Sequence, residues 1–293
     1  MSTVLTAGHV NWDVTLRVDQ LPEADGEASI RSQHRSGGGS AANVAAALTG
    51  LGVDAGLIGS VGDDDTGDLA RRELESAGVS LEGLRVVKDA DTAVKYLLVD
   101  DDGEVAVLGN DGVNEAVGPD DIKPARVRGA DYVHLTSQRP DTAARIATIA
   151  DDAGNTVSFD PGRRLARRDY EATLAASDIV FANDREVAAL LEDEYLGSDF
   201  SDRTLVIKHG GDGAKVHTPA ASYDHPGFDI DPVDTAGAGD AFAAGFLATL
   251  VDGGGVERAL EYANACGALT ASEDGARSAP TVEAVRSFLR SRY

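Results

Sequence analysis

"VDTAGAGDAF", residues 233–242, sets four consecutive small residues between a threonine and an aspartate and runs directly into the small, apolar helical pattern "AFAAGFLATLV". A turn this bare lets backbone approach a ligand closely, and the first turn of a helix offers unpaired N–H groups with a partial positive charge. In an α/β sheet such a helix start lies beyond the carboxyl ends of the strands, where ligands bind. Ala236, Gly237, Ala238 and Gly239 then fit around a phosphate or a charge developing on one, and Asp240 fits as acceptor of the proton from an attacking hydroxyl. The same letters also suit a tight turn with Asp240 as helix N-cap, and spacing alone leaves both readings open. The stretch is neither a Walker loop, having no Gly-Lys-Ser/Thr, nor a strand followed by GxGxxG.

Outward from this turn the chain alternates strand and helix. "DAGLIGSVG" reads as a strand, "DDTGDLARRELESAG" as a capped amphipathic helix, and "ADYVHLTS", "PDTAARIATIADDAG", "TVSFDPG", "ASDIVFAN", "DREVAALLEDE" and "TLVIKHGGDGAKVH" continue the pattern. Short apolar strands alternating with helices predict a mainly parallel sheet covered on both faces, an α/β fold. Residues 14–35 and 92–109 break the rhythm with period-two alternation, and a DDG turn interrupts the second, so both read as antiparallel strands. No repeat or long linker divides the 293 residues, which read as a single domain, 1–293, carrying a small β insertion.

Fifty acidic against 26 basic residues give a formal charge of −24, which opposes nucleic acid and anionic membranes as partners. Five lysines and 5% aromatics complete an acidic, lysine-poor composition suited to very high salt, where screening relieves self-repulsion. The chain has neither a membrane-spanning apolar run nor a secretory leader pattern, so a cytoplasmic enzyme is expected. The single cysteine, Cys266, reads as a buried small residue. His9 and His134 lack partners at metal-ligand spacing and read as packing or hydrogen-bonding groups.

"DTAGAGD" resembles the C-terminal signature D-T-x-G-A-G-D of the ribokinase-like (pfkB) family of carbohydrate kinases at every specified position, and "GGGSAANVAAALTGLG", residues 37–52, resembles its N-terminal signature. The resemblance runs from "GHVNWD" to "GARSAPT" and implies the ribokinase-like fold, with the interrupting strands as a small antiparallel β lid. It implies Asp240 as general base, the amides of Ala236 to Gly239 as the anion hole, ATP as phosphate donor, Mg2+, and pairing of two copies through the lids. Asn183 and Glu186 match the family's N-x-x-E element, which arranges the magnesium-bound water shell; by themselves they also read as a capping box. "VIKHGGDGAKVH" resembles the nucleotide-binding turn, with Lys208 meeting phosphate and Gly211 and Gly213 permitting close approach, although a plain hairpin fits the same letters. Asn264 falls where relatives place an asparagine near adenine, and Asp234 with Gly275 and Ser278 resembles a monovalent-cation site, suggesting K+. For the acceptor, Asp13 and Asn43 fit sugar-hydroxyl contacts, with Asn11, Gly38 and Gly39 lining the same pocket.

Two departures bear on the acceptor. Ser40 stands where ribokinases proper resemble one another in a lysine, and Ser137 and Gln138 stand where an acidic sugar contact is usual. Both argue against free ribose. The scarce arginines cluster in "SIRSQHRSGGG", "TSQRPD" and "DPGRRLARRD", so Arg31, Arg35, Arg139, Arg163 and Arg164 are candidates for a phosphate or carboxylate on the acceptor, Arg139 and Arg163 foremost. His34, Lys95 and Tyr96 are lid residues within reach of the acceptor. The expected reaction is γ-phosphoryl transfer to a hydroxymethyl of a pentose-type sugar or sugar phosphate, with ribose 1-phosphate the specific choice. A nucleoside, with a wall near Trp12 and Tyr96, a ketohexose and 2-keto-3-deoxygluconate are the alternatives. A non-catalytic binding protein would have no need of Asp240, and a dehydrogenase would need a dinucleotide fingerprint that is absent.

Overall fold

Alternate residues along the central strands enter opposite apolar layers, Val4 one and Leu5 the other, Phe181 one and Val180 the other, which is why these strands read as unbroken apolar runs. The computed structural model describes residues 3–102, 104–192, 202–273, 275 and 279–292. In chain order they form β1 (Thr3–Ala7), β2 (Asn11–Val18), β3 (Ile30–Gly38), α1 (Ser40–Gly50), β4 (Asp54–Gly62), α2 (Asp65–Ser76), β5 (Ser80–Val87), β6 (Ala93–Val99) and β7 (Val105–Asn110). There follow α3 (Pro124–Arg128), β8 (Tyr132–Thr136), α4 (Pro140–Asp151), β9 (Thr156–Asp160), α5 (Glu171–Ala175), β10 (Ile179–Asn183), α6 (Asp184–Glu192) and β11 (Thr204–Lys208). The chain continues through β12 (Ala214–His217), β13 (Ser222–His225), α7 (Ala238–Val251), α8 (Val256–Ala271) and α9 (Val282–Arg290).

The main sheet runs β13-β12-β11-β10-β9-β8-β1-β4-β5. It is parallel from β5 to β11, and β12 and β13 close one edge antiparallel. Residues of α1, α7 and α8 fill one apolar layer and residues of α4 the other. Helices α7 and α8 approach closely at Gly245, where a β-carbon would fall 2.7 Å from the sulfur of Cys266. Cys266 is fully buried, and burial pushes its thiol far up, so it behaves as the apolar filler its sequence context predicted.

The interrupting strands form a second sheet, ordered β3-β2-β6-β7. Hairpins β2/β3 and β6/β7 are antiparallel as expected, but β2 and β6, which join them, pair in parallel from Asn11↔Ala93 to Arg17↔Val99. This corrects the wholly antiparallel expectation: side-chain alternation fixes which face a residue takes, not which way its neighbour runs. The first lid strand also starts earlier than residue 14, because β1 stops at Ala7 and Asn11 already belongs to β2. Among the described residues, no helix is long and apolar enough to cross a membrane.

Candidate active site

The bare turn does start a helix, but its cap is Gly237, at φ 77°, and Asp240 is the third helical residue. Left-handed backbone at the cap is open to glycine at little cost. Two of the four amides expected in the anion hole are already engaged: Ala236 N donates to Asp234 Oδ1 at 2.9 Å and Ala238 N to Thr235 O at 3.3 Å. The amides without a hydrogen-bond acceptor among the described residues are those of Gly237, Gly239 and Asp240. The open amides of this turn therefore lie toward the helix, because Asp234 claims the amide of Ala236. The other oxygen of Asp234 accepts from Gly275 N at 3.3 Å, so the predicted cation-site pair does meet, although its carboxylate is occupied in tying two loops together. Ser278 lies outside the described residues.

Asn43, on α1, donates from Nδ2 to Asp240 Oδ2 at 2.8 Å. Beside it Lys208, the last residue of β11, donates to Asp160 Oδ2 at 2.5 Å, and Lys208 Nζ lies 3.7 Å from where a β-carbon on Gly239 would stand. Burial pushes the Asp240 carboxyl above the usual aspartate range and the Asp160 charge adds to this, while Asn43, Lys208 and Ser40 oppose it. Burial depresses Lys208, but Asp160, Glu186 and Asp240 more than compensate and hold it protonated. One fixed cation thus stands beside an open set of helix-start amides, with a half-buried carboxylate of raised basicity at the same point. This arrangement can take a proton from a hydroxyl and stabilise negative charge on a group being transferred.

Lys208, Gly211, Gly213 and Asn264, four of the residues expected around the nucleotide, line one cavity of about 530 Å³. Its other walls include Phe228, Ile230, Pro232 and Phe242, so an apolar slot ends in Lys208 and Gly239, as a flat base joined to a phosphate chain requires. The β11–β12 segment is a hairpin, and its turn also forms part of the cavity wall. Asn264 spends its amide nitrogen on Leu260 O at 2.8 Å. Asn183 and Glu186 form the capping box, with Asn183 Oδ1 accepting from Glu186 N at 3.0 Å and Asn183 N donating to Glu186 Oε2 at 2.9 Å. Asn183 pairs in register with Lys208, which brings Glu186 near that ammonium; burial and the nearby Asp160 push the Glu186 carboxyl up. No group of three or more His, Cys, Asp or Glu side chains able to hold a metal occurs among the described residues. Glu186 is a single carboxylate near Lys208, a donor set that a largely hydrated magnesium ion can use.

On the acceptor side, Asp13 lies against Gly38, where a β-carbon would fall 2.1 Å from its Oδ2, and Gly39, at φ 93°, turns the lid strand into α1 across the backbone of His9. Asn11 is fully buried and accepts at Oδ1 from Asn114 Nδ2 at 2.5 Å. The arginines separate sharply. Arg31, Arg35 and Arg163 are exposed, Arg31 bonded to Asp101, and Arg139 is exposed and held by Asp141 on its own helix. Arg164 is half-buried, and with it the overlooked Arg168. Tyr96 is exposed at 42%, and Trp12 packs partly buried against the core rather than as an open wall. His9 bonds Glu115 and His134 bonds Ser158, the hydrogen-bonding roles expected of them. Asp160, Asn114, Glu115 and Arg168 carried no spacing signal, since their partners are far away in the chain; only the strand-end position of Asp160 in "FDPG" marks it.

Residues 1–283 match the family described as pfkB family carbohydrate kinase. Over 295 aligned residues the chain is 76% identical to an ATP-dependent ribose-1-phosphate kinase of Halopiger xanaduensis, covering 100% of both chains. It is 28% identical to a nucleoside kinase of Methanothermobacter thermautotrophicus, covering 97% of this chain and 95% of that one. Its fold is similar to the crystal structure of a ribokinase from Thermotoga maritima, with a TM-score of 0.89, 24% identity and 99% and 100% of the two chains covered. With the two signatures meeting at the Asn43–Asp240 hydrogen bond and a family match over nearly the whole length, the chain belongs to the pfkB family of carbohydrate kinases.

Proposed function

We propose that the protein is an ATP-dependent, cytoplasmic kinase that phosphorylates a hydroxymethyl of a pentose phosphate, ribose 1-phosphate in the first place. The observation that carries the acceptor is the 76% identity, end to end, with the Halopiger ribose-1-phosphate kinase. In this reading Asp240, fixed by Asn43, takes the proton of the acceptor hydroxyl as its oxygen attacks the terminal phosphorus and the bond to the leaving diphosphate breaks. The amides of Gly237, Gly239 and Asp240, with Lys208, meet the charge on the phosphoryl oxygens. Lys208 is kept cationic and in place by Asp160. Glu186 is the carboxylate that would stand beside a magnesium ion, which would supply further charge neutralisation on the phosphates. The Asp234–Gly275 loop would hold a potassium ion through backbone carbonyls. Asp13, Asn11 and Asn43 face the sugar hydroxyls, and the lid covers the acceptor and excludes water.

The uncovered apolar side chains Ile30, Val105, Val107 and Leu108 all belong to lid strands and support pairing of two copies through that sheet. Sedimentation of the purified protein in concentrated salt tests this, and a monomer at micromolar concentration would refute it. Phosphorus NMR of the reaction product tests the transfer itself: two phosphomonoester signals on one pentose are expected, and a single signal would overturn the reading.

A further inference from the structure

The carboxyl edge of the sheet carries a second concentration of positive charge. Strand β8 lies between β9 and β1, so Asp160, then Ser137 and Gln138, then His9 follow one another along that edge at about 5 Å per strand. Lys208, which lines the cavity described above, ends β11, three strands along the same edge from β8. A sugar whose hydroxymethyl meets Asp240 therefore extends toward Gln138 and His9.

There a single carboxylate, Glu115, is shared by three cationic or potentially cationic groups. Arg164 Nη1 donates to Glu115 Oε1 at 2.9 Å, Arg168 Nη1 donates to the same oxygen at 2.6 Å and Arg168 Nη2 to Oε2 at 3.2 Å, and His9 Nε2 lies 3.2 Å from Oε1. Arg164 extends its other nitrogen to Asp111 Oδ1 at 2.9 Å, but Asp111 is 77% exposed, at the rim. Arg168 also donates to Gln138 O at 2.9 Å. Lys95 and Arg139 lie near enough to act electrostatically on His9 and Glu115 respectively. In a chain of formal charge −24, two half-buried guanidinium groups share one half-buried carboxylate, Glu115, while the second acid, Asp111, is exposed at the rim. Guanidinium pairs in this setting are suited to bidentate binding of phosphate.

A second observation points the same way. The amide nitrogens of Asn11 and Gln138 and the hydroxyl of Ser137 are buried without a hydrogen-bond partner. Unsatisfied buried donors are costly, and two just beyond the end of β8 with a third at the start of β2 are what a polar ligand would satisfy.

We propose that Arg164 and Arg168, held in place by Glu115 and flanked by His9 and Gln138, form the subsite for a phosphomonoester on the acceptor sugar. Glu115 keeps the two guanidinium groups aligned, and the incoming phosphate replaces the exposed Asp111 as the second partner of Arg164. This inference rests on the sugar-phosphate reading above and assigns its discrimination against unphosphorylated sugars to these residues.

The test is steady-state kinetics of Arg164→Gln and Arg164→Lys with ribose 1-phosphate and ATP. Losing one charge-assisted contact predicts a rise of about 10- to 100-fold in the KM for ribose 1-phosphate in Arg164→Gln, a smaller rise in Arg164→Lys, and an unmoved KM for ATP. An unchanged KM for ribose 1-phosphate in Arg164→Gln overturns the subsite and leaves the acceptor reading standing. If the wild type uses a neutral sugar instead, the acceptor reading fails, and the subsite is decided by inorganic phosphate. Competition of phosphate against the sugar in the wild type that is lost in Arg164→Gln upholds it, and no competition overturns it.

Discussion

Replacing Asp160 with asparagine probes the pair on which the phosphate end of the site is built. The Lys208 and Asp160 side chains are only 17% and 14% exposed, so the substitution leaves a buried ammonium without its counter-charge. Breaking one side of such a pair costs about 3–5 kcal/mol. Unfolding entropy of about 2.1 cal/mol/K per residue gives roughly 0.6 kcal/mol/K for 293 residues, so Tm should fall by about 5–8 °C. Lys208→Met removes the stranded charge, and in a double-mutant cycle the two substitutions together should cost less than their sum, by about 0.5–3 kcal/mol. Calorimetry of the four proteins in one concentrated KCl buffer reads this out. The site should respond as well. Asp160 is one of the causes of the raised Asp240 carboxyl and Lys208 opposes it, so losing Asp160 moves Asp240 downward. The acid limb of the kcat profile should then shift to lower pH. An additive cycle, or an acid limb that stays put or moves upward, would refute the reasoning.

Asp240→Asn should lower kcat by about 10²- to 10⁴-fold with little change in ATP affinity, which titration calorimetry can check. The same variant should melt higher at neutral pH: a half-buried carboxyl with a raised folded-state pKa is destabilising when ionised, and asparagine still accepts from Asn43. The hydrogen bonds of His9 and Arg168 hold the Glu115 carboxyl down at about 2, so its contribution is complete above the ordinary glutamate pKa and is lost as pH falls toward about 2; Glu115→Gln should flatten the acid-side decline of Tm. Gly245→Val, forced against Cys266 and Ala263, should cost about 1–3 kcal/mol, read as a lower Tm. With a net charge of −24, Tm should climb from low to multimolar KCl, and a flat curve would count against salt adaptation.

Features written in local spacing were legible in the sequence. The small-residue turn before α7 and the capping box at Asn183 and Glu186 are set by residues within a few positions of one another, and both formed. Period-two alternation marked the lid strands, yet could not disclose the parallel β2–β6 pair, because strand direction is decided by what lies between the strands. Which amides of the turn are left open was not legible: Asp234 claims Ala236 N through a geometry that composition does not encode. Long-range partners were beyond reach. Asp160 and Lys208 are 48 residues apart and Glu115 and Arg168 are 53 apart, so nothing near either member announces the other. Arg139 and Arg163 were singled out for lying in basic clusters, but exposure and the Asp141 bond set them apart from the half-buried Arg164 and Arg168.

The measurement closest to the central claim is kcat/KM of the purified protein, with ATP and magnesium in concentrated KCl, for ribose 1-phosphate against ribose, fructose, 2-keto-3-deoxygluconate and nucleosides. The account predicts ribose 1-phosphate ahead of every neutral acceptor, with the preference reduced in Arg164→Gln. A neutral sugar or a nucleoside ahead of ribose 1-phosphate, or no ATP consumption with any acceptor, would contradict it.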